Sequence, residues 1–287
     1  FLFPGQGSQY LEMGADLAMF RPEAAAAWDL AAGSDPEGTP PLHERVFPLP
    51  AFSPEERRRQ ENALRQTEWA QPALGAASLA ALRVLSAAGV APDLAAGHSF
   101  GEVPALHAAG VLSAEGMLQV ARARGGQMAA AAAGAAGAMT AVHHPSASVQ
   151  SLLVEIGEDL VIANHNSPEQ VVLSGPLSAI AAAEERLAAA GIRFVRLPVS
   201  TAFHSPLMAA AVAPFTAALA AVAFGPASFP VIGGSTAEPF PGDPAAQRKL
   251  LADQVIQPVR FAEQVERLYA LGARTFVEVG AGTVLTR

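Results

Sequence analysis

Gly97-His98-Ser99-Phe100-Gly101 sets a serine between glycines at both second neighbours. A serine hydroxyl attacks poorly until a base takes its proton and fixed dipoles steady the developing charge. The apolar run Leu94-Ala95-Ala96 precedes the pentapeptide, and residues 102–109 read as a helix after it. Strand, serine, helix is the order of a nucleophile elbow, a sharp turn that lifts the hydroxyl above a sheet. Glycine at the flanks lets strand and helix approach where a Cβ would collide. The hydroxyl then stands at the positive end of a helix. Five such letters also arise by chance in a chain with 25 glycines and many alanine runs, so the motif needs partners.

Seven histidines are available as a base. His98 adjoins the serine but points to the other side of such a turn, a structural position. His107 falls inside the following helix, His143 and His144 end a strand, His43 lies in a Pro-rich stretch, and His165 stands between Asn164 and Asn166. His204 differs: it follows a strand-like run and precedes Ser205-Pro206, a helix start. Loops at such re-entry points collect catalytic groups, although a lone loop histidine is ordinarily a surface residue. Arg122 and Arg124 fall in a long helical pattern, where arginine is ordinarily solvated.

The elements that would position these groups follow from the pattern. Residues 1–3 read as a strand, ended by Pro4-Gly5-Gln6-Gly7-Ser8. Helical patterns follow and break at the Pro-rich 35–54. Ser53-Pro54-Glu55-Glu56 then starts a helix, with Ser53 as N-cap and Glu56 three residues on. Arg57-Arg58-Arg59 is its solvated face. Residues 74–88 predict a helix capped by Gly89, and 113–133 another. Strand-like runs at 138–143, 160–163, 170–173 and 192–197 enclose helical segments at 146–156 and 177–190. That order is the ferredoxin-like βαββαβ unit. A helix at 205–222 and strands at 229–232 and 275–279 complete the expectation.

Of 287 residues 51% are hydrophobic and 15% charged, which allows a sizeable core. No apolar run reaches the roughly 18 to 20 residues of a membrane span. Zero cysteines exclude disulfides and thiolate catalysis and give no support for a thiolate zinc site, so no metal is expected. The net charge of −8 argues against nucleic acid as a partner and leaves capture of an anionic substrate to local arginines. A cytoplasmic location is expected, with no membrane partner. The chain starts inside a strand-like run at Phe1-Leu2-Phe3, which reads as a domain of a longer polypeptide.

Five motifs occur in order: Phe3-Pro4-Gly5-Gln6-Gly7-Ser8-Gln9, Trp69-Ala70-Gln71-Pro72-Ala73-Leu74, the Gly97–Gly101 elbow, Ala202-Phe203-His204-Ser205 and Val277-Glu278-Val279-Gly280. Together they resemble the malonyl-CoA:acyl-carrier-protein acyltransferase family, which includes acyltransferase domains of polyketide and fatty acid synthases. Phe100-Gly101-Glu102 is similar to the iterative enediyne and polyunsaturated fatty acid type. The resemblance implies an α/β fold, a hydrolase-like parallel-sheet core over 1–126 and 200–287, with the ferredoxin-like subdomain inserted at 127–199. It implies a malonyl unit carried from malonyl-CoA, through an ester on Ser99, to the phosphopantetheine thiol of an acyl carrier protein. No bound cofactor is implied, and neighbouring synthase domains are the other partners.

Residue by residue, the resemblance makes Ser99 the nucleophile and His204 its general base, oriented by the backbone carbonyl at Gln257. The backbone N–H groups of Gln6 and Phe100 would form the oxyanion hole. Arg124 would bind the malonyl carboxylate, since a guanidinium pairs bidentately with a carboxylate. Gln71 would line that pocket, with Asn164 and Asn166 reaching it from the inserted subdomain. Phe203 would fill the space that a methylmalonyl branch needs, while Thr201 stands where the family's motif begins with histidine. Two other readings stay open: a serine esterase or thioesterase of α/β-hydrolase type, and an idle docking module. The first lacks a His-Gly oxyanion loop, and the second is disfavoured by Ser99, His204 and Arg124 occurring together. Acetyl or methylmalonyl remain alternative acyl units.

Overall fold

The computed structural model describes residues 1–34, 39–134, 136–156, 160–199 and 201–286, with the backbone alone for 152–156. Strand β1 (Leu2–Phe3) leads into helices α1 (Ala15–Phe20), α2 (Pro22–Gly33), α3 (Leu42–Val46), α4 (Pro54–Arg65) and α5 (Thr67–Ala87). Next come β2 (Ala95–Gly97), α6 (Glu102–Ala108) and α7 (Ala114–Ala133). Strands β3 (Gly137–Val142), β4 (Val161–Ser167), β5 (Gln170–Pro176) and β6 (Phe194–Arg196) alternate with α8 (Ser146–Ile156) and α9 (Leu177–Ala189). The chain closes with α10 (Ala209–Ala220), β7 (Val231–Ile232), α11 (Pro244–Asp253) and α12 (Phe261–Ala270).

Caps set several of these ends. Ser53 Oγ accepts from Glu56 N–H at 3.1 Å and the Glu56 carboxylate accepts from Phe52 N–H at 2.9 Å. Ser113 caps α7 in the same way, accepting from Gly116 N–H at 3.0 Å. Helix α5 starts before the expected residue 74 and runs through Pro72. Every residue from Ala70 to Ala80 is buried there, and that packing outweighs the hydrogen bond a proline removes.

The large core holds a parallel sheet in the order β1-β2-β7, with Leu2 opposite Ala96 and Ala95 opposite Val231. The expected strand at 229–232 shortens to two residues; Pro230 lends only its carbonyl, to Ala95 N–H at 3.1 Å. The expected strand at 275–279 does not form. Its place is taken by one parallel bridge, Glu278 to Leu2, because β1 offers two residues and Gly280 turns away at φ 146°. The second sheet is antiparallel in the order β4-β5-β3-β6, which is the ferredoxin-like arrangement the pattern predicts. The architecture is thus α/β, a parallel core with a small antiparallel unit. Helices α11 and α12 escape the sequence pattern; α12 buries Phe261 and Leu268 against Leu2, Ala96 and Ile232 of the parallel sheet.

The two sheets meet along the segment after α11. Val259 lies beside β4, accepting from His165 N–H and donating to Ala163 O, each at 2.8 Å. Ser174 Oγ donates to Phe203 O at 2.7 Å, tying β5 to the loop before α10. Among the described residues no helix is long and apolar enough to cross a membrane.

Candidate active site

At the elbow, β2 gives way to a single 3₁₀ turn, Ser99–Gly101, and then to α6. Ser99 takes φ 52°, a left-handed conformation that costs a non-glycine residue roughly 1–2 kcal/mol. Both flanking glycines are sterically required. A Cβ on Gly97 would stand 1.9 Å from the carbonyl carbon of Gly101, and one on Gly101 2.0 Å from Phe3 O. A Cβ on Gly5 would lie 2.3 Å from His98 O, so the Pro4-Gly5-Gln6 turn packs directly on the elbow.

His204 comes from the loop before α10, also at positive φ, 55°, and is buried. Its Nε2 is 2.7 Å from Ser99 Oγ. Its Nδ1 faces two carbonyl oxygens, Gln254 O at 3.1 Å and Gln257 O at 2.9 Å. Carbonyls only accept, so Nδ1 carries the proton and Nε2 is left to accept from the serine hydroxyl. Burial first, and then the positive charge of Arg124, push the imidazole down to about 3. At neutral pH the imidazole is therefore uncharged, with Nε2 free to accept the serine proton.

Arg124 projects from α7 and is buried to within 1% of its surface. Nη2 donates to Gln254 Oε1 at 2.8 Å and more weakly to Ser99 Oγ at 3.4 Å, while Nε has no partner. Burial lowers its pKa to about 10, with Glu102 opposing, so it stays charged at neutral pH. A buried cation with an unpartnered N–H close to the nucleophile has the chemistry to pair with an anion. Gln71, on α5, is fully buried, with Nε2 3.5 Å from Met128 Sδ and Oε1 unpaired. Phe203 is buried in the main core cluster.

The asparagines of β4 are placed otherwise. Asn166 Oδ1 lies 2.9 Å from His98 Nε2, and its amide donates to Gln170 Oε1 at 3.0 Å. His98 thus points away from Ser99, stacked edge-on to Phe261 at 5.4 Å. Asn164 is buried at the bridge to Val259. Gln6 reaches Thr67 Oγ1 at 3.2 Å through its side chain.

Two residues central to the geometry were not legible as site residues. Gln254, at the end of α11, offers its carbonyl to His204, its amide N–H to Ser99 O at 2.8 Å and its amide oxygen to Arg124. Glu102 lies beneath it, fully buried. Neither belongs to a spacing pattern that declares a role, because their contacts span from 50 to more than 150 residues of sequence.

A serine on an elbow, a neutral imidazole against it and a buried guanidinium alongside make a cluster able to support nucleophilic chemistry at a hydroxyl. The chain belongs to the acyl transferase domain family, whose model matches residues 1–287, and is an acyltransferase. It is 37% identical to the malonyl CoA-acyl carrier protein transacylase of Bacillus subtilis, over 100% of this chain and 87% of that protein. It is 40% identical to the mycoketide-CoA synthase of Mycobacterium tuberculosis, over 98% of this chain but 6% of that much longer protein. Among solved structures, the acyltransferase domain of the second salinomycin polyketide synthase module superposes with TM-score 0.86 at 38% identity, covering all of this chain and 64% of that one. A malonyl-transacylase in complex with a type II polyketide synthase carrier protein matches at TM-score 0.89 and 35% identity, over 99% and 89%.

Proposed function

We propose that this chain transfers a malonyl unit from malonyl-CoA to the phosphopantetheine thiol of an acyl carrier protein through an ester on Ser99, in polyketide or fatty acid biosynthesis. His204 Nε2 takes the hydroxyl proton as Ser99 Oγ attacks the thioester carbonyl. The oxyanion is held by the backbone N–H groups of Gln6 and Phe100, donors of a kind worth about 10²–10³ in turnover. The tetrahedral intermediate then collapses, the C–S bond breaks, and the imidazolium returns its proton to the CoA sulfur. In the second half the carrier thiol gives its proton to His204 and attacks the ester, and Ser99 leaves with that proton.

The carboxylate of malonyl pairs with Arg124, and Gln71 and Phe203 shape the rest of the pocket, while Asn166 acts on the elbow through His98. The cleft lies between the unit of 1–126 with 200–287 and the unit of 127–199. The partners are the carrier protein and neighbouring synthase domains, and the setting is the cytoplasm. One observation carries the reading: His204 sits 2.7 Å from Ser99 Oγ while Arg124 donates to the same oxygen and keeps an N–H unpaired.

Transfer and hydrolysis part at the second half-reaction. After loading with malonyl-CoA, the acyl-enzyme is expected to persist in buffer and to discharge at least tenfold faster when holo carrier protein is added. Rapid loss to water that carrier protein does not change would favour the serine esterase or thioesterase reading, here as hydrolysis of the CoA thioester.

A further inference from the structure

Glu102 opens α6 three residues beyond Ser99 with none of its surface exposed. Its Oε1 accepts from Gly234 N–H at 2.7 Å and from Gln254 Nε2 at 3.0 Å, and its Oε2 has no partner. The loop after β7 is shaped for this carboxylate, since a Cβ on Gly234 would stand 2.5 Å from Oε1. Burying such a group is costly unless an opposite charge offsets it. Arg124 is in the mirror situation: its hydrogen bonds go to Gln254 and Ser99, both neutral.

The Gln254 amide joins the two. Its NH₂ lies between two acceptors, Ser99 O and Glu102 Oε1, and its oxygen meets the guanidinium. Turning the amide over would set its oxygen against two acceptors and its N–H against a cation, so the orientation is fixed from both ends. We propose that Glu102 is the buried counter-charge of Arg124, acting across the Gln254 amide, and that it limits how tightly the pocket holds an acyl group bearing a carboxylate. This rests on the reading of Arg124 given above.

Above its titration Glu102 sets one negative charge against the positive charge of Arg124. A malonyl carboxylate adds a second negative charge, which Glu102 either repels or relieves by taking up a proton. Burial pushes Glu102 up to about 7, opposed by the bonds from Gly234 and Gln254 and by the charge of Arg124. The charged group facing it is Arg124 of α7; the loop after β7, the end of α11 and α12 present the neutral Gly234, Gln254 and Gln264. A substrate carboxylate engages Arg124 and weakens that opposition, so Glu102 protonates as malonyl binds. Malonyl binding then weakens as pH rises through about 7, and acetyl binding does not.

The test compares malonyl-CoA and acetyl-CoA loading of Ser99 as kcat and KM across this range, in the full chain and in Glu102→Gln. That variant keeps the side-chain size and an oxygen for Gly234 N–H. The phosphates of CoA titrate in both substrates and cancel in the ratio. The native malonyl-over-acetyl ratio of kcat/KM is expected to fall several-fold, up to about tenfold per pH unit above the titration. In Glu102→Gln the ratio is expected to be flat, with a lower malonyl KM at alkaline pH. An unchanged slope, or KM shifts alike for both acyl groups, would overturn the proposal and leave Glu102 a fold contact.

Should Glu102→Gln not fold, calorimetry of Ser99→Ala binding each CoA ester, in two buffers of different ionisation heat, replaces it. Proton uptake is expected with malonyl-CoA alone, and equal uptake with both overturns the proposal. If Arg124→Ala loads both acyl groups in native proportion, the Arg124 reading itself fails, a result distinct from either.

Discussion

Around Ser99 the main chain leaves no room for a methyl group: carbons added to Gly97, Gly101 or Gly5 would stand 1.9 to 2.3 Å from backbone atoms. The antiparallel sheet touches the same cleft through side chains, Asn166 to His98 and Ser174 to the Phe203 carbonyl. The nucleophile is therefore fixed by backbone geometry that leaves no room for a side chain at these three glycines, while a side-chain bond from Ser174 ties down the loop bearing its base. The wall contributed by β4 and β5 is held by the backbone pair with Val259 and by these two side-chain bonds, each bond worth about 0.5–1.5 kcal/mol. The contrast separates where the chemistry occurs from what it acts upon.

The sharpest way to break this contrast is Gly97→Ala. The added carbon must displace the backbone of Gly101, so a loss of more than about 3 kcal/mol is expected in chemical denaturation. A stable Gly97→Ala protein would show that the elbow is not sterically locked. His204→Ala is expected to slow acylation of Ser99 by about 10²–10⁴-fold, the usual worth of a general base. In the native protein the imidazole titrates at about 3, well below its ordinary 6.5. Acetyl loading should therefore hold steady as pH falls through 6.5, where an exposed histidine would halve it. The same shift makes stability fall in acid, because the unfolded chain binds this proton below 6.5 and the folded one does not until about 3.

Arg124→Ala tests the side-chain half of the contrast. Malonyl loading is expected to fall tenfold or more, one such step per about 1.4 kcal/mol, while acetyl loading holds or improves. Equal losses would make Arg124 a structural residue. The smallest effect is expected from Asn166→Ala, which removes the bond to His98. About 1 kcal/mol of stability and less than tenfold in loading rate should be lost. A larger loading defect would place Asn166 against the acyl group rather than against the elbow.

The parts of the site that the sequence made legible are those set by local chemistry. Gly97 and Gly101 announce a close approach, Ser53 and Ser113 announce helix starts, and the alternation of strand and helix through β3 to β6 gives the antiparallel unit. What stayed hidden depends on distant packing. Helix α5 passes through Pro72 because α2 and α7 bury it, and the strand expected near Glu278 lacks a partner long enough to pair with. Gln254 gives no local signal at all; its role follows from meeting Ser99, Arg124, Glu102 and His204 in space. The carbonyl expected at Gln257 does face His204, and Gln254 supplies a second one.

The central claim is that Ser99, activated by His204, becomes an acyl ester. Mass spectrometry of the chain after brief mixing with malonyl-CoA, followed by peptide mapping, tests it most directly. One malonyl group is expected on the peptide carrying Ser99, and none in Ser99→Ala. A malonyl group on another residue, or undiminished labelling of Ser99→Ala, would contradict the account.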